Sequence, residues 1–238
     1  VAFLGGSTGF DVLVPGNETL VAQLEDCLNS DAEIRAALGK RVKVFNLSQP
    51  GNLVMNQIMN FIQFAHLIEP DLVICHSAAN DLCTMQMNDP VLVNNYSIGY
   101  PDVLEAWGKK IHNADSVEID YQFSDHNDSN FRPARDRVSP TSIIDAYAYR
   151  AHQFNKLVKG LHNSNFVLGF QPWITSKEQL SENEKSRRVS YNPYYQQIYR
   201  NVEHLYKNYC GMILEKMEPL KVANMHAHFK TLSSAVEH

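Results

Sequence analysis

Apolar and polar positions along the chain follow two periods that alternate from the first residue onward. Val1-Ala2-Phe3-Leu4 is a short continuous apolar run that meets Gly5-Gly6-Ser7-Thr8-Gly9, the pattern of a buried strand closed by a tight turn. Over residues 18–28 the period becomes helical, with Leu20, Val21, Leu24, Cys27 and Leu28 on one face. A second strand is predicted over residues 42–47, followed by the turn Gln49-Pro50-Gly51-Asn52 and an amphipathic helix over 53–68 that Pro70 ends. A third strand over 71–76 runs into the small-residue turn Ser77-Ala78-Ala79-Asn80-Asp81.

Farther along, Ile144, Tyr147, Ala151, Phe154, Leu157, Val158 and Leu161 stripe a helix over 142–162. A fourth strand over 165–170, a helix over 194–216 and a fifth strand over 220–225 complete the regular part. Residues 176–188 are charged and loop- or helix-like, while 85–140 are weakly periodic and rich in Asn, Asp and Ser, as expected of an insertion over one face. Strands alternating with helices imply an α/β domain with a parallel sheet and helices on both faces, in which ligands collect beyond the carboxyl ends of the strands. One domain over residues 1–238 accounts for the pattern, with no internal repeat.

Composition narrows the classes. The chain has 238 residues, 44% hydrophobic and 20% charged, enough to bury a core without disulfide or metal staples. Lys and Arg number 21 against 26 Asp and Glu, so no basic face points to nucleic acid. The longest apolar stretch is broken by Asn56, Gln57, Asn60, Gln63 and His66, so no membrane span is expected. Cys27, Cys75, Cys83 and Cys210 lack CxxC or Cys/His spacing and read as free thiols, without a metal site. Four Asn-x-Ser/Thr triplets, at Asn17, Asn46, Asn95 and Asn127, would suit secretion, but such triplets arise often by chance and leave the compartment open. Val1 lies already inside an apolar run, as expected of a trimmed domain.

Ser7 sits between glycines, after a strand and before a helix, where a hydroxyl is exposed beside its own backbone N–H. The same turn would suit phosphate, but GxGxxG is absent and no acidic residue follows the second strand to hold a ribose. Read together, Ser7, Gly51 and Asn80 occupy equivalent positions after strands one, two and three. Acyl transfer needs donors waiting for a tetrahedral oxyanion, and the Ser7 and Gly51 N–H groups with the Asn80 amide are such a set. His76 at the end of the third strand reads as a packed residue, and Asp81 as the residue that fixes the Asn80 turn. His66, His152, His162 and His204 fall on predicted helices, as surface or boundary residues. The acidic residues of the insertion match no calcium loop, and its aromatics suit a cleft or a packed lid.

These blocks resemble the SGNH (GDSL-like) hydrolase superfamily. Phe3-Leu4-Gly5-Gly6-Ser7-Thr8 is similar to the block carrying the serine nucleophile, Asn46-Leu47-Ser48-Gln49-Pro50-Gly51 to the block carrying the glycine, and Ala78-Ala79-Asn80-Asp81-Leu82 to the block carrying the asparagine. Phe170-Gln171-Pro172-Trp173 is similar to a segment common in these proteins. The resemblance implies a three-layer, flavodoxin-like fold with five parallel strands in the order 2-1-3-4-5. It implies an ester hydrolase with no cofactor, Ser7 as nucleophile, and Gly51 and Asn80 in the oxyanion hole. Its substrates would be acetyl or short acyl esters of carbohydrate or lipid.

The family's remaining block, Asp-x-x-His, has no match: Asp120 is followed at three by Phe123, and Asp125 directly by His126. One expectation is that the chain stops before that block. Another is that His226 or His228, just past the fifth strand, supplies the base. The alternatives to a hydrolase are a noncatalytic binding or scaffold domain that keeps the fold, and an O-acyltransferase using the same residues.

Overall fold

A computed structural model describes residues 1–11, 14–85, 139–173, 182 and 193–230. Of the insertion expected at 85–140, residues 86–138 lie outside the described residues, as does nearly all of the charged segment 176–188. Five strands, β1 (Ala2–Leu4), β2 (Phe45–Asn46), β3 (Leu72–Ser77), β4 (Asn165–Phe170) and β5 (Lys221–Asn224), form one sheet in the order β2-β1-β3-β4-β5. Every pairing is parallel, so the chain returns to the same sheet edge between strands and each strand ends on the same side. This is the expected α/β fold and strand order.

Among the described residues the α-helices between the strands are α1 (Ser7–Phe10), α2 (Leu20–Ser30), α3 (Ala32–Leu38), α4 (Val54–Ile68), α5 (Ala79–Thr84), α6 (Pro140–His162) and α7 (Pro193–Lys216), and α8 (Met225–Lys230) follows β5. Register places Ala2 beside Val73 and Leu4 beside Cys75, with Phe166 and Leu168 next in the same rows. Those side chains share one face by the two-residue period. On that face they pack with Phe61 of α4, Tyr147 and Phe154 of α6, and Leu205, Tyr206 and Ile213 of α7. The other face carries Phe3 and Ile74, which meet Val21, Leu20, Leu24 and Leu28 of α2. Helices therefore cover both faces, as a sheet buried on both sides requires.

Local chemistry sets the element ends. Thr19 Oγ1 accepts from Ala22 N at 3.2 Å to start α2, and Ser139 Oγ accepts from Ser142 N at 3.1 Å to start α6, with Pro140 in its first turn. One element is new and one expectation is corrected. Helix α3 is absent from the periodicity reading because none of its residues is buried. It is held instead by its ends, Asp31 Oδ1 accepting from Glu33 N and Ile34 N at 2.9 Å each, and Gly39 closing it at φ 63°. The second strand is shorter than 42–47 because its first residues bond to α2: Asn29 exchanges two hydrogen bonds of 2.9 Å with the Val42 backbone, and Val44 N donates to Glu25 Oε2 at 2.7 Å.

The chain after β2 nevertheless stays beside the chain after β1. Leu47 N donates to Phe3 O at 2.8 Å and Gln49 N to Gly5 O at 3.1 Å, which carries the Gly51 turn alongside the Ser7 turn.

His76, near the carboxyl end of β3, lies on the α2 face. It is 2% exposed, its ring centroid is 5.8 Å from that of Phe3, and neither ring nitrogen has a hydrogen-bond partner. Burial pulls its pKa down to about 4. The folded protein therefore binds fewer protons than the unfolded chain between about pH 6.5 and 4, and stability falls as pH falls through that window. In urea titrations at a series of pH values, His76→Leu, of similar volume, is expected to lose that dependence, a difference from wild type of about 3 kcal/mol at pH 4. Parallel profiles would show that His76 carries a proton in the folded state.

Candidate active site

Ser7 is exposed while Gly5 and Gly6 on its N-terminal side are buried. It is the first residue of α1, a single turn in which Gly9 N and Phe10 N both donate to Gly6 O at 3.1 Å and Asp11 N donates to Ser7 O at 2.9 Å. At that first position the Ser7 N–H has no intrahelical acceptor. Four residues of helix do not hold themselves together in water, so side chains from three directions fix this one. Asn46 Nδ2 at the end of β2 donates to Gly9 O at 2.7 Å. Asp11 Oδ2 accepts from Leu20 N, at the start of α2, at 2.7 Å. Gln171, just past β4, donates from Nε2 to Thr8 Oγ1 at 2.6 Å.

Gly51 adopts φ 74°, a left-handed conformation that glycine takes without strain, and Asn52 N closes the turn onto Gln49 O at 3.2 Å. Asn80, the second residue of α5, donates from Nδ2 to Asn52 O at 3.1 Å. The same amide lies against Gly6 so closely that a Cβ there would collide with Nδ2. Ser7, Gly51 and Asn80 are thus brought together: Asn80 touches the residue before Ser7 and bonds to the residue after Gly51. An amide nitrogen carries two hydrogens, so one remains for a further acceptor. The turn expected at 77–81 is tighter than its sequence suggests, since α5 begins at Ala79 and Ala78 absorbs the change of direction at φ 142°, a conformation that non-glycine residues rarely take.

Asp81 is fully buried, and its two oxygens accept from Val54 N at 3.1 and 3.2 Å. Val54 opens α4 two residues beyond Asn52, so the bond that the sequence places within the Asn80 turn also docks the neighbouring helix. Burial pushes the Asp81 carboxyl up to about 7, opposed by the Val54 N–H and by the Arg150 guanidinium of α6.

The two histidines proposed as bases lie on α8. His226 is buried, its ring 5.0 Å from that of Tyr206 and 6.1 Å from that of Phe170, whereas His228 is exposed. Among the described residues no side chain is hydrogen bonded to the Ser7 hydroxyl. His66 and His204 are exposed and His152 and His162 half-buried, so the helical histidines lie at the surface or its boundary. Among the described residues no group of three or more His, Cys, Asp or Glu gathers as metal ligands, and no helix is long and apolar enough to cross a membrane. A polar cleft of about 670 Å³ lies between Glu69–Asp71 and Lys159–Asn165, at the amino ends of β3 and β4 and away from Ser7.

Asn52 and the tethers Asn46 and Gln171 hold the site together although no motif marks them as doing so. For Asn46 and Gln171 the available signal is their position, a polar side chain at the carboxyl end of a strand.

No family profile matches the sequence, and no curated protein does. The chain is similar to several solved structures. One is TesA, at 14% identity and a TM-score of 0.39, covering 93% of this chain and 75% of that one. An acetylxylan esterase from Geobacillus stearothermophilus aligns at 13% identity and a TM-score of 0.44, covering 96% and 77%. A putative GDSL-like lipase from Parabacteroides merdae aligns at 13% identity and a TM-score of 0.38, covering 87% and 72%.

The packing of Asn80 on Gly6 has a direct consequence. Gly6→Ala is expected to push the Asn80 amide off Asn52, costing about 1 kcal/mol by urea denaturation. Most of that cost should vanish when the same change is made in an Asn80→Ala background. Equal costs in both backgrounds would place the strain elsewhere.

Proposed function

We propose that this chain is a serine esterase of the SGNH (GDSL-like) type, acting on acetyl or short acyl esters of a carbohydrate or lipid. The observation that carries the reading is the convergence of an exposed serine hydroxyl with the Asn80 amide at the carboxyl ends of β1 and β3, beside the Gly51 turn. In the proposed reaction Ser7 Oγ attacks the ester carbonyl carbon and its proton passes to a histidine. The carbonyl oxygen gains negative charge and is held by the Ser7 N–H, the Gly51 N–H and Asn80 Nδ2. Collapse expels the alcohol, which takes the proton, and leaves an acyl group on Ser7. Water then attacks the acyl carbon, and Ser7 is regenerated with release of the acid. A sugar hydroxyl in place of that water would make the same residues an O-acyltransferase.

For the proton, His226 and His228 on the helix after β5 are the described candidates. His228 is exposed and His226 is packed on Tyr206. That packing also favours the second reading, a binding domain that keeps the fold without the chemistry.

Treatment with a fluorophosphonate is expected to place one phosphonyl group on the peptide containing Ser7 and none on Ser7→Ala. Ser7→Ala should lower 4-nitrophenyl acetate hydrolysis by at least about 10³-fold, and Asn80→Ala should lower kcat by about 10²- to 10³-fold. A folded protein with no adduct and no hydrolysis would favour the binding domain.

A further inference from the structure

We propose that Gln171 is a positioning residue for Ser7, acting through Thr8 and itself held by Tyr206. The inference rests on the esterase reading and adds to it a residue from β4 that the nucleophile and oxyanion set do not include.

Nucleophilic attack requires Ser7 Oγ to be held at one place relative to the oxyanion donors, since a misplacement of about 1 Å costs on the order of 10²-fold in rate. The element that holds Ser7 is the four-residue α1. Of its three tethers, two act at its far end: Asn46 bonds to the Gly9 carbonyl, and Asp11 bonds to α2. Of these described tethers the third bonds to the residue that follows the nucleophile, where Gln171 Nε2 meets Thr8 Oγ1 at 2.6 Å.

Gln171 can serve as an anchor because its own place is fixed on both sides. Its N–H donates to Ser77 O, at the end of β3, at 2.9 Å. Its carbonyl accepts from the Tyr206 hydroxyl of α7 at 2.7 Å. Tyr206 is 1% exposed, and its ring stacks on Phe170 at a centroid distance of 5.4 Å and on Trp173 at 6.3 Å. A continuous path therefore runs from the packed core between α7 and β4, through the Tyr206 hydroxyl and the Gln171 backbone and side chain, to Thr8 and Ser7. Thr8 and Gln171 are both half-buried, so the final bond is shielded from water without lying inside the core.

The test is a double-mutant cycle on the full chain with Gln171→Leu, Thr8→Val and both together. It reads the second-order rate of Ser7 phosphonylation by a fluorophosphonate, kcat and KM for 4-nitrophenyl acetate, and the thermal midpoint. Each single change is expected to slow phosphonylation about threefold to tenfold. The double variant should be no slower than the slower single one, because both remove the same bond. The loss should appear in kcat with KM unchanged, and Tyr206→Phe should move the same quantity by a smaller factor. Thr8→Val keeps the shape of a half-buried residue, so the prediction stands even where Gln171→Leu fails to fold. Multiplying effects in the double variant, or a lowered thermal midpoint with an unchanged rate per folded molecule, would overturn the proposal. Wild-type labelling at Ser7 with equal rates in all variants would overturn it alone, whereas no labelling of wild type would overturn the esterase reading and this one together.

Discussion

Asn80 donates to the carbonyl of Asn52 from a space that only a glycine at position 6 leaves open. That contact joins the segments following β1, β2 and β3, which the parallel sheet delivers to one edge but does not by itself connect. Asp81 adds a second link at the next residue, accepting the first N–H of α4 with both carboxylate oxygens. The Gly51 turn is thereby trapped between a ladder bond at Gln49 and a docked helix at Val54. Each link is a modest hydrogen bond, worth on the order of 1 kcal/mol. Together they turn three loops into one surface.

That surface stands on buried polar groups that are expensive to keep. Asp81 is held against the core with its carboxyl pushed up to about 7, and His76, paired in register with Gly169 of β4, is kept neutral by burial. Burying such groups without full compensation costs free energy, and that cost lies directly beneath the proposed site. The apolar packing of Phe61, Tyr147, Phe154 and Phe170 supplies stabilisation that offsets it.

Much of the arrangement was legible in the sequence. The apolar runs predicted all five strands, the family resemblance implied their order, and β4 matched to the residue because Asn165–Phe170 pairs along its whole length with β3. The edge strand β2 was over-read, since Val42 and Val44 have the composition of strand residues but spend their backbone groups on side chains of α2. Helix α3 was invisible because none of its residues is fully buried, so no apolar stripe marks it. Ser7, Gly51 and Asn80 were found because glycine, asparagine and serine at strand ends are unusual enough to notice. Gln171 was legible only as part of a family-like segment after β4, not by its contact: its partner is Thr8, far away in sequence, and only the sheet brings them together. Likewise His226 looked available from its place after β5, yet the helix that begins there turns it onto Tyr206.

The central claim is that Ser7, Gly51 and Asn80 form one oxyanion-binding surface around a nucleophile, and a crystal structure of the phosphonylated protein tests it most directly. The account predicts a phosphonyl oxygen within about 2.7–3.1 Å of Ser7 N, Gly51 N and Asn80 Nδ2, with Asn80 still bonded to Asn52. A phosphonyl group on Ser7 whose oxygens point into solvent and touch none of these donors would contradict it.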